Sequence, residues 1–146
     1  EDWRRIAGED TGSMFEVCAC LGDRSGRLRK FGGLLGLVYH GCDDVGDVRG
    51  LPALGGGGTE DLRDGILTLP AAIAIRDAEV AGAFCRAEPS EDDLRRVAAA
   101  FTAALPEAEA TLDSIAVEAG REARLFARDP APLLALVGQT RGLSRR

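Results

Sequence analysis

The sequence predicts an all-α protein, and three observations carry that expectation. Apolar residues recur at helical spacing over most of the chain. No stretch alternates apolar and polar residues as a half-buried strand would. The composition is 45% hydrophobic but only 5% aromatic, with abundant Ala and Gly, which suits helices better than a sandwich or a disordered chain. At 146 residues the length matches one domain burying roughly two thirds of its unfolded surface. A net charge of −6 argues against a nucleic-acid partner, since that needs a basic face and the basic run here is confined to Arg145 and Arg146. No apolar run approaches the roughly 20 residues of a membrane span, and no signal peptide is expected. Cys18, Cys20, Cys42 and Cys85 lack zinc-ligand spacing. They are expected to be small buried apolar residues in a reducing cytoplasm.

In chain order, Asp2 to Leu21 carries apolar residues at Trp3, Ile6, Met14, Phe15, Val17, Cys18 and Leu21. This is near-helical spacing with a weak point around Gly8 and Gly12. Gly22 to Gly26 reads as a turn, with Ser25 the candidate N-cap of the next helix. That helix, Phe31 to Asp47, is the centre of the chain. It is apolar almost all round, which predicts that other helices surround it. Gly32, Gly33 and Gly36 predict close approach of a neighbouring helix at a propensity cost of about 1 kcal/mol each.

Beyond it, Gly50-Leu51-Pro52 and Gly55 to Gly58 form a glycine-rich flap, and Thr59 to Gly65 opens like a short capped helix. Thr68-Leu69-Pro70 starts an apolar helix reaching Ile75, with Pro70 suited to its first turn. Ala78 to Cys85 is a further short helix. Ser90 and Asp93 form a capping box before a helix whose face is Val97, Phe101, Ala104 and Leu105. Pro106 is expected to break or restart that helix. Glu107 to Ala127 then carries the stripe Leu112, Ile115, Ala119, Ala123 and Phe126. Ala131 to Val137 is the last helix, followed by a basic tail.

The central helix ends in three carboxylates, Asp43, Asp44 and Asp47, in the pattern DDxxD. Asp43 and Asp47 stack four apart, with Asp44 about 100° round. Such crowding is unfavourable, more so at the negative end of the helix dipole, unless a cation neutralises it. Hard oxygen donors without His or Cys select Mg²⁺, which keeps several waters and completes its shell from a phosphate. A solvated helix end is the plainer alternative.

The order of motifs resembles the C-terminal half of the trans-isoprenyl diphosphate synthase (polyprenyl synthetase) family. The matching residues run Asp10-Thr11, Tyr39-His40, Asp43 to Asp47, Gly55-Gly56, Asp61-Leu62 and Gly65-Ile66-Leu67-Thr68-Leu69-Pro70. Spacing agrees over residues 9 to 76. The resemblance implies an isoprenoid synthase helical bundle, with residues 1–146 as the C-terminal half of one domain. Its N-terminal half would lie upstream or on a complementary chain, and the assembly would be a dimer. The absence of an initial Met is in keeping with further residues upstream.

The activity implied is Mg²⁺-dependent ionisation of an allylic prenyl diphosphate, followed by condensation with isopentenyl diphosphate. About three Mg²⁺ ions would be shared between Asp43, Asp44 and Asp47 and a first aspartate motif outside these residues. Asp43 is the most direct ligand by position, and Thr11 lies near the diphosphate. Three departures stand out: Asp10, Gly56 and Ile66 occupy positions where the family has diphosphate-binding lysines. Arg49 and Arg63 are the candidate replacements.

His40 stands where the family has Gln. It is either a base for the final deprotonation of a carbocation or a hydrogen-bonding substitute for that Gln. Three activities fit the residues. A chain-elongating prenyltransferase comes first. A terpene synthase on the same fold would keep the metals without isopentenyl diphosphate, and a catalytically impaired partner subunit would account for the lost lysines.

Overall fold

The computed structural model describes residues 1–50 and 64–145, and every regular element among them is helical. No helix among them is long and apolar enough to cross a membrane. The chain divides into two compact units, residues 1–42 with 111–146, and residues 43–110. The flap, Arg63 and most of Thr59 to Gly65 lie outside the described residues.

In the first unit, α1 (Asp2–Ala7) and α2 (Ser13–Gly22) are joined without a break by a π-helical stretch, Gly8–Gly12. The glycine weak point is thus a local widening of the helix rather than an interruption. Helix α3 (Arg29–Arg49) crosses α2 at its glycines. A Cβ on Gly32 would fall 2.5 Å from the Phe15 carbonyl oxygen and 2.8 Å from Ala19 Cβ, and one on Gly36 2.8 Å from Gly12 Cα. Backbone-to-backbone contact at this range explains why α3 tolerates the propensity cost of glycine. Phe31, Leu34, Leu35, Leu37 and Val38 are all buried, as a surrounded helix requires.

Ser25 does not cap α3. Its hydroxyl donates to the Asp23 carboxylate at 2.6 Å, closing a local turn before Arg29. Gly26, at φ +73°, takes the left-handed conformation in that turn.

The C-terminal portion of α6 (Glu91–Phe126) contributes Leu112, Ile115, Ala119 and Ala123, spaced along one face and buried. Phe126, expected in that stripe, is 42% exposed. Helix α7 runs Ala131–Arg141, a turn longer than expected, and a 3₁₀ turn, Leu143–Arg145, follows. What reads as the start of a basic tail is therefore folded as far as Arg145, and Arg141 is only 6% exposed. Its Nε donates to Asp113 Oδ1 at 2.7 Å, and its Nη1 to Ser144 Oγ at 2.9 Å.

The second unit packs α4 (Leu69–Ala74), α5 (Ala78–Phe84) and the N-terminal part of α6 around Ala71, Ala83, Val97 and Phe101. Phe84 meets Phe101 edge-on at 5.6 Å. The capping box forms in full. Asp93 N–H donates to Ser90 Oγ at 3.1 Å, and Ser90 N–H returns to Asp93 Oδ2 at 3.0 Å.

Pro106 does not break α6. Its missing N–H and ring clash cost about 3 kcal/mol, but buried Ala104 and Ala108 keep the apolar stripe in phase across it. Burial of a continuous face outweighs the local penalty. Gly50, at φ +68°, ends α3 in a left-handed cap.

Candidate functional site

In the second unit the three aspartates occupy the last turns of α3 and do different work. Asp44 is buried, and its Oδ2 accepts the amide hydrogen of Leu69 at 2.8 Å. With it, the start of α4 is fully accounted for. Leu69 N–H goes to Asp44, Pro70 has none, Ala71 N–H reaches Thr68 Oγ1 at 3.3 Å, and Ala72 N–H reaches the Thr68 carbonyl at 2.9 Å. A carboxylate against helix N-terminal amides is also favoured by the dipole.

Asp43 and Asp47 are half-buried on the same helix. Among the described residues no group of three or more His, Cys, Asp or Glu is close enough to hold a metal. The carboxylate pair nonetheless suits Mg²⁺, which is usually bound through one or two carboxylates with water and phosphate filling the remaining positions. Asp44 fits the role of metal ligand least, because its inward oxygen is committed to Leu69.

Arg49 is held in an ion pair. Its Nη1 pairs with Glu109 Oε1 at 2.6 Å, and both side chains are partly buried. Ile66 is 49% exposed. Arg63 and Gly56 lie outside the described residues.

In the first unit, Thr11 and His40 come together. Thr11 Oγ1 lies 2.9 Å from His40 Nδ1. The cause is local: Gly12 and Gly36 bring the π-helical stretch against α3, and His40 stands one turn beyond Gly36. Thr11 Oγ1 also reaches Asp10 Oδ2 at 3.4 Å, and the buried Trp3 ring flanks the imidazole at 6.3 Å between centroids.

Two cavities adjoin these elements. An open groove of about 890 Å³ has Leu34, Leu37 and Leu125 among its lining. Its rim is neutralised by ion pairs, Arg29 with Glu16 at 2.8 Å and Lys30 with Glu118 and Glu122 at 3.2 and 2.9 Å. Hydrogen bonds that the Lys30 ammonium donates to Glu122 and Glu118 hold it above its ordinary value, and Lys30 in turn holds Glu118 below the usual carboxylate range. The second cavity, about 430 Å³, is lined by Met14, Phe15, Phe31, Leu35, Leu133 and Leu136 among others. It is apolar and within the roughly 300–1,000 Å³ range of small-molecule sites.

The cysteines are all free thiols, but only Cys42 is fully buried, and Cys18 and Cys85 are exposed. Cys18, on α2, lines the second cavity with Phe31 and Leu35 of α3. Burial pushes the Cys42 thiol up despite Ser144 and Arg141, so it is a packing residue and no nucleophile. Arg141 is the residue that sequence reasoning missed. The signal was present in Val137, Thr140 and Arg141, which share a helical face and are all buried.

No protein-family model matches the chain, and neither the curated proteins nor the solved structures contain a significant match.

Proposed function

We propose that this chain is the C-terminal half of an isoprenoid synthase-type bundle that ionises an allylic prenyl diphosphate and condenses it with isopentenyl diphosphate. The observation that carries the reading is the Asp44–Leu69 hydrogen bond. It joins the DDxxD helix to the Thr68-Leu69-Pro70 helix, the two motifs on which the resemblance rests most. Asp43 and Asp47 would hold Mg²⁺, which when bound supplies positive charge to a departing diphosphate. The apolar cavity between α2, α3 and α7 is of a size to take a hydrocarbon chain. The residues' own share is to position the carboxylates, exclude water with the buried faces of α3, and place Thr11 and His40 on one hydrogen bond.

A specific observation favours a second reading, a terpene synthase. Arg49 is engaged by Glu109, and Asp10 and Ile66 stand where the resemblance leads one to expect lysines, so among the described residues at the matched positions few cations remain to hold a second diphosphate.

The test is incubation of the complete protein with Mg²⁺ and allylic diphosphates, with and without isopentenyl diphosphate. A longer prenyl diphosphate formed only with isopentenyl diphosphate supports elongation. A hydrocarbon or alcohol formed without it supports the cyclase. Absence of diphosphate release under every condition overturns both, as does activity left intact by Asp43→Asn with Asp47→Asn.

A further inference from the structure

The cavity of about 430 Å³ carries a single polar determinant. Among the described residues that line it, Asp23 alone bears a charge; the others are apolar side chains, one thiol and two glycines. From this lining we infer that the cavity binds a small organic ammonium, an apolar body with one cationic head, and that Asp23 selects the head.

The shape follows from helix periodicity. Met14, Cys18 and Gly22 succeed one another four apart along α2, so they share one face. Phe31 and Leu35, four apart on α3, are both buried and form the floor, and α7 contributes Leu136. Gly22 adds no side chain, and nothing lies within 4 Å of a Cβ built on it. The space beside it is therefore open where α2 ends in its C-cap, Asp23.

Two sources of negative potential meet at that end. The C-terminus of a helix carries roughly half a negative charge. The Asp23 carboxyl adds a full one, since hydrogen bonds from the Ser25 hydroxyl and amide hold it below its ordinary value of 3.8. Those bonds, at 2.7 Å from Ser25 Oγ and 3.2 Å from Ser25 N, also fix the carboxylate in place. With the Leu28 amide it accepts three hydrogens. A carboxylate has about four lone-pair sites, so it has capacity for one more donor. Arg27, whose charge also acts on Asp23, lines the open groove instead. An ammonium is thus attracted at this end, and a carboxylate or phosphate is repelled. Apolar walls with one placed charge are the usual division between affinity and orientation in a small-molecule site. A prenyl chain fits the same walls only with its diphosphate held away from Asp23, so the ammonium site stands independently of the prenyl reading.

Three probes with one chain and different heads, n-octylammonium, n-octanol and n-octanoate, test this on the complete protein near neutral pH. Cys18 is exposed and lines the cavity, so a bound probe should shield it from N-ethylmaleimide, with labelling mapped by mass spectrometry. Cys85, exposed and outside the lining, is the internal standard. Octylammonium should protect Cys18 at a concentration about three- to tenfold below that of octanol, the range for a charge-assisted contact at a partly exposed site. Octanoate should protect least, and Cys85 should label at one rate throughout. Asp23→Asn keeps an acceptor for Ser25 and should bring ammonium and alcohol to within about twofold of each other. Leu136→Trp, at an exposed position of α7, should weaken all three probes by narrowing the cavity. Octanoate matching octylammonium overturns the proposal, as does an ammonium preference that survives Asp23→Asn. Undiminished protection in Leu136→Trp would place the probes elsewhere and overturn it too. A Cys18 that no probe protects, or that resists labelling without any probe, means that the cavity is not an open site, and the proposal falls. Turnover of allylic diphosphates is a separate readout, so either reading can fail without the other.

Discussion

The buried Asp44 carboxylate accepts the Leu69 amide hydrogen at 2.8 Å, joining residues 25 positions apart in the chain. The consequence is a division of labour within one acidic motif. The oxygen that caps α4 is fixed for structural reasons, whether or not a metal is ever bound by its neighbours.

Asp44→Ala should therefore destabilise the second unit by about 1–3 kcal/mol, the cost of leaving a buried amide without its acceptor. Asp44→Asn keeps an acceptor oxygen of the same shape and should lose less than half as much. Urea unfolding of the two variants beside the wild type checks this. Equal losses for Ala and Asn would mean that the charge, not the hydrogen bond, matters.

Gly32 and Gly36 are placed where α2 and α3 touch backbone to backbone. Alanine at either gains about 1 kcal/mol of helix propensity but drives a methyl into the Phe15 carbonyl or Gly12 Cα, at 2.5 and 2.8 Å. Overpacking of this kind typically costs 1–3 kcal/mol, and separating two rigid backbones puts these sites at or above the upper end. Gly8 has nothing within 4 Å of a built Cβ and an ordinary helical φ of −70°. Gly8→Ala should be neutral or stabilising by up to about 1 kcal/mol. A melting series ranking Gly8→Ala below Gly36→Ala would refute the contact.

These cases show what was legible in the sequence and why. The helical class, the crowded glycines, the apolar helix opening at Thr68-Leu69-Pro70 and the Ser90 cap all follow from local rules that the packing did not override. Pro106 and Ser25 failed for opposite reasons. At Pro106 a continuous buried face overrode a local breaker, whereas Ser25 was diverted by a nearer acceptor, Asp23. The cysteines failed because composition gives a residue's average burial and not which side of a helix it occupies.

Within the candidate site, Thr11 and His40 were each singled out on the strength of the resemblance. Their hydrogen bond spans 29 positions, and no local pattern reports so distant a pairing. The same is true of Asp44 with Leu69 and of Arg141 with Asp113. Motifs showed which residues to watch, and tertiary contacts decided what each one does.

Acid should weaken the N-terminus of α6 in a predictable direction. The Ser90 hydroxyl and amide, with Arg86 beside them, hold the Asp93 carboxyl below its ordinary value of 3.8. A carboxyl lowered on folding contributes stability that is fully present above its unfolded value and lost as pH falls through the folded one. Melting temperature should therefore stay level from neutrality down to about pH 5 and decline below about pH 4, where Asp93 is joined by Asp23 and Glu118, also lowered. Ser90→Ala should make the acid decline shallower while lowering the neutral-pH stability by about 1 kcal/mol through the lost cap. An unchanged slope in that variant would remove Asp93 from the account.

Helix α2 gives the sharpest test of what this chain's surface is for. It is the helix Ser13–Gly22, and none of its residues is fully buried. Phe15 and Ala19 face the α3 glycines, while Met14, Val17 and Leu21 are 57%, 59% and 75% exposed. Spaced three and four apart, they form one apolar stripe on one face. A stripe of this kind marks an interaction surface or an aggregation liability, not a contributor to the core beneath it. Val17→Gln and Leu21→Gln should accordingly change unfolding free energy by no more than about 0.5 kcal/mol each. Together they should reduce both hydrophobic-dye fluorescence and concentration-dependent sedimentation. A loss of 2–5 kcal/mol, the range for truncating a buried aliphatic side chain, would mean that the stripe is packed inside the folded chain in solution. Unchanged sedimentation with unchanged stability would mean that it is exposed but idle.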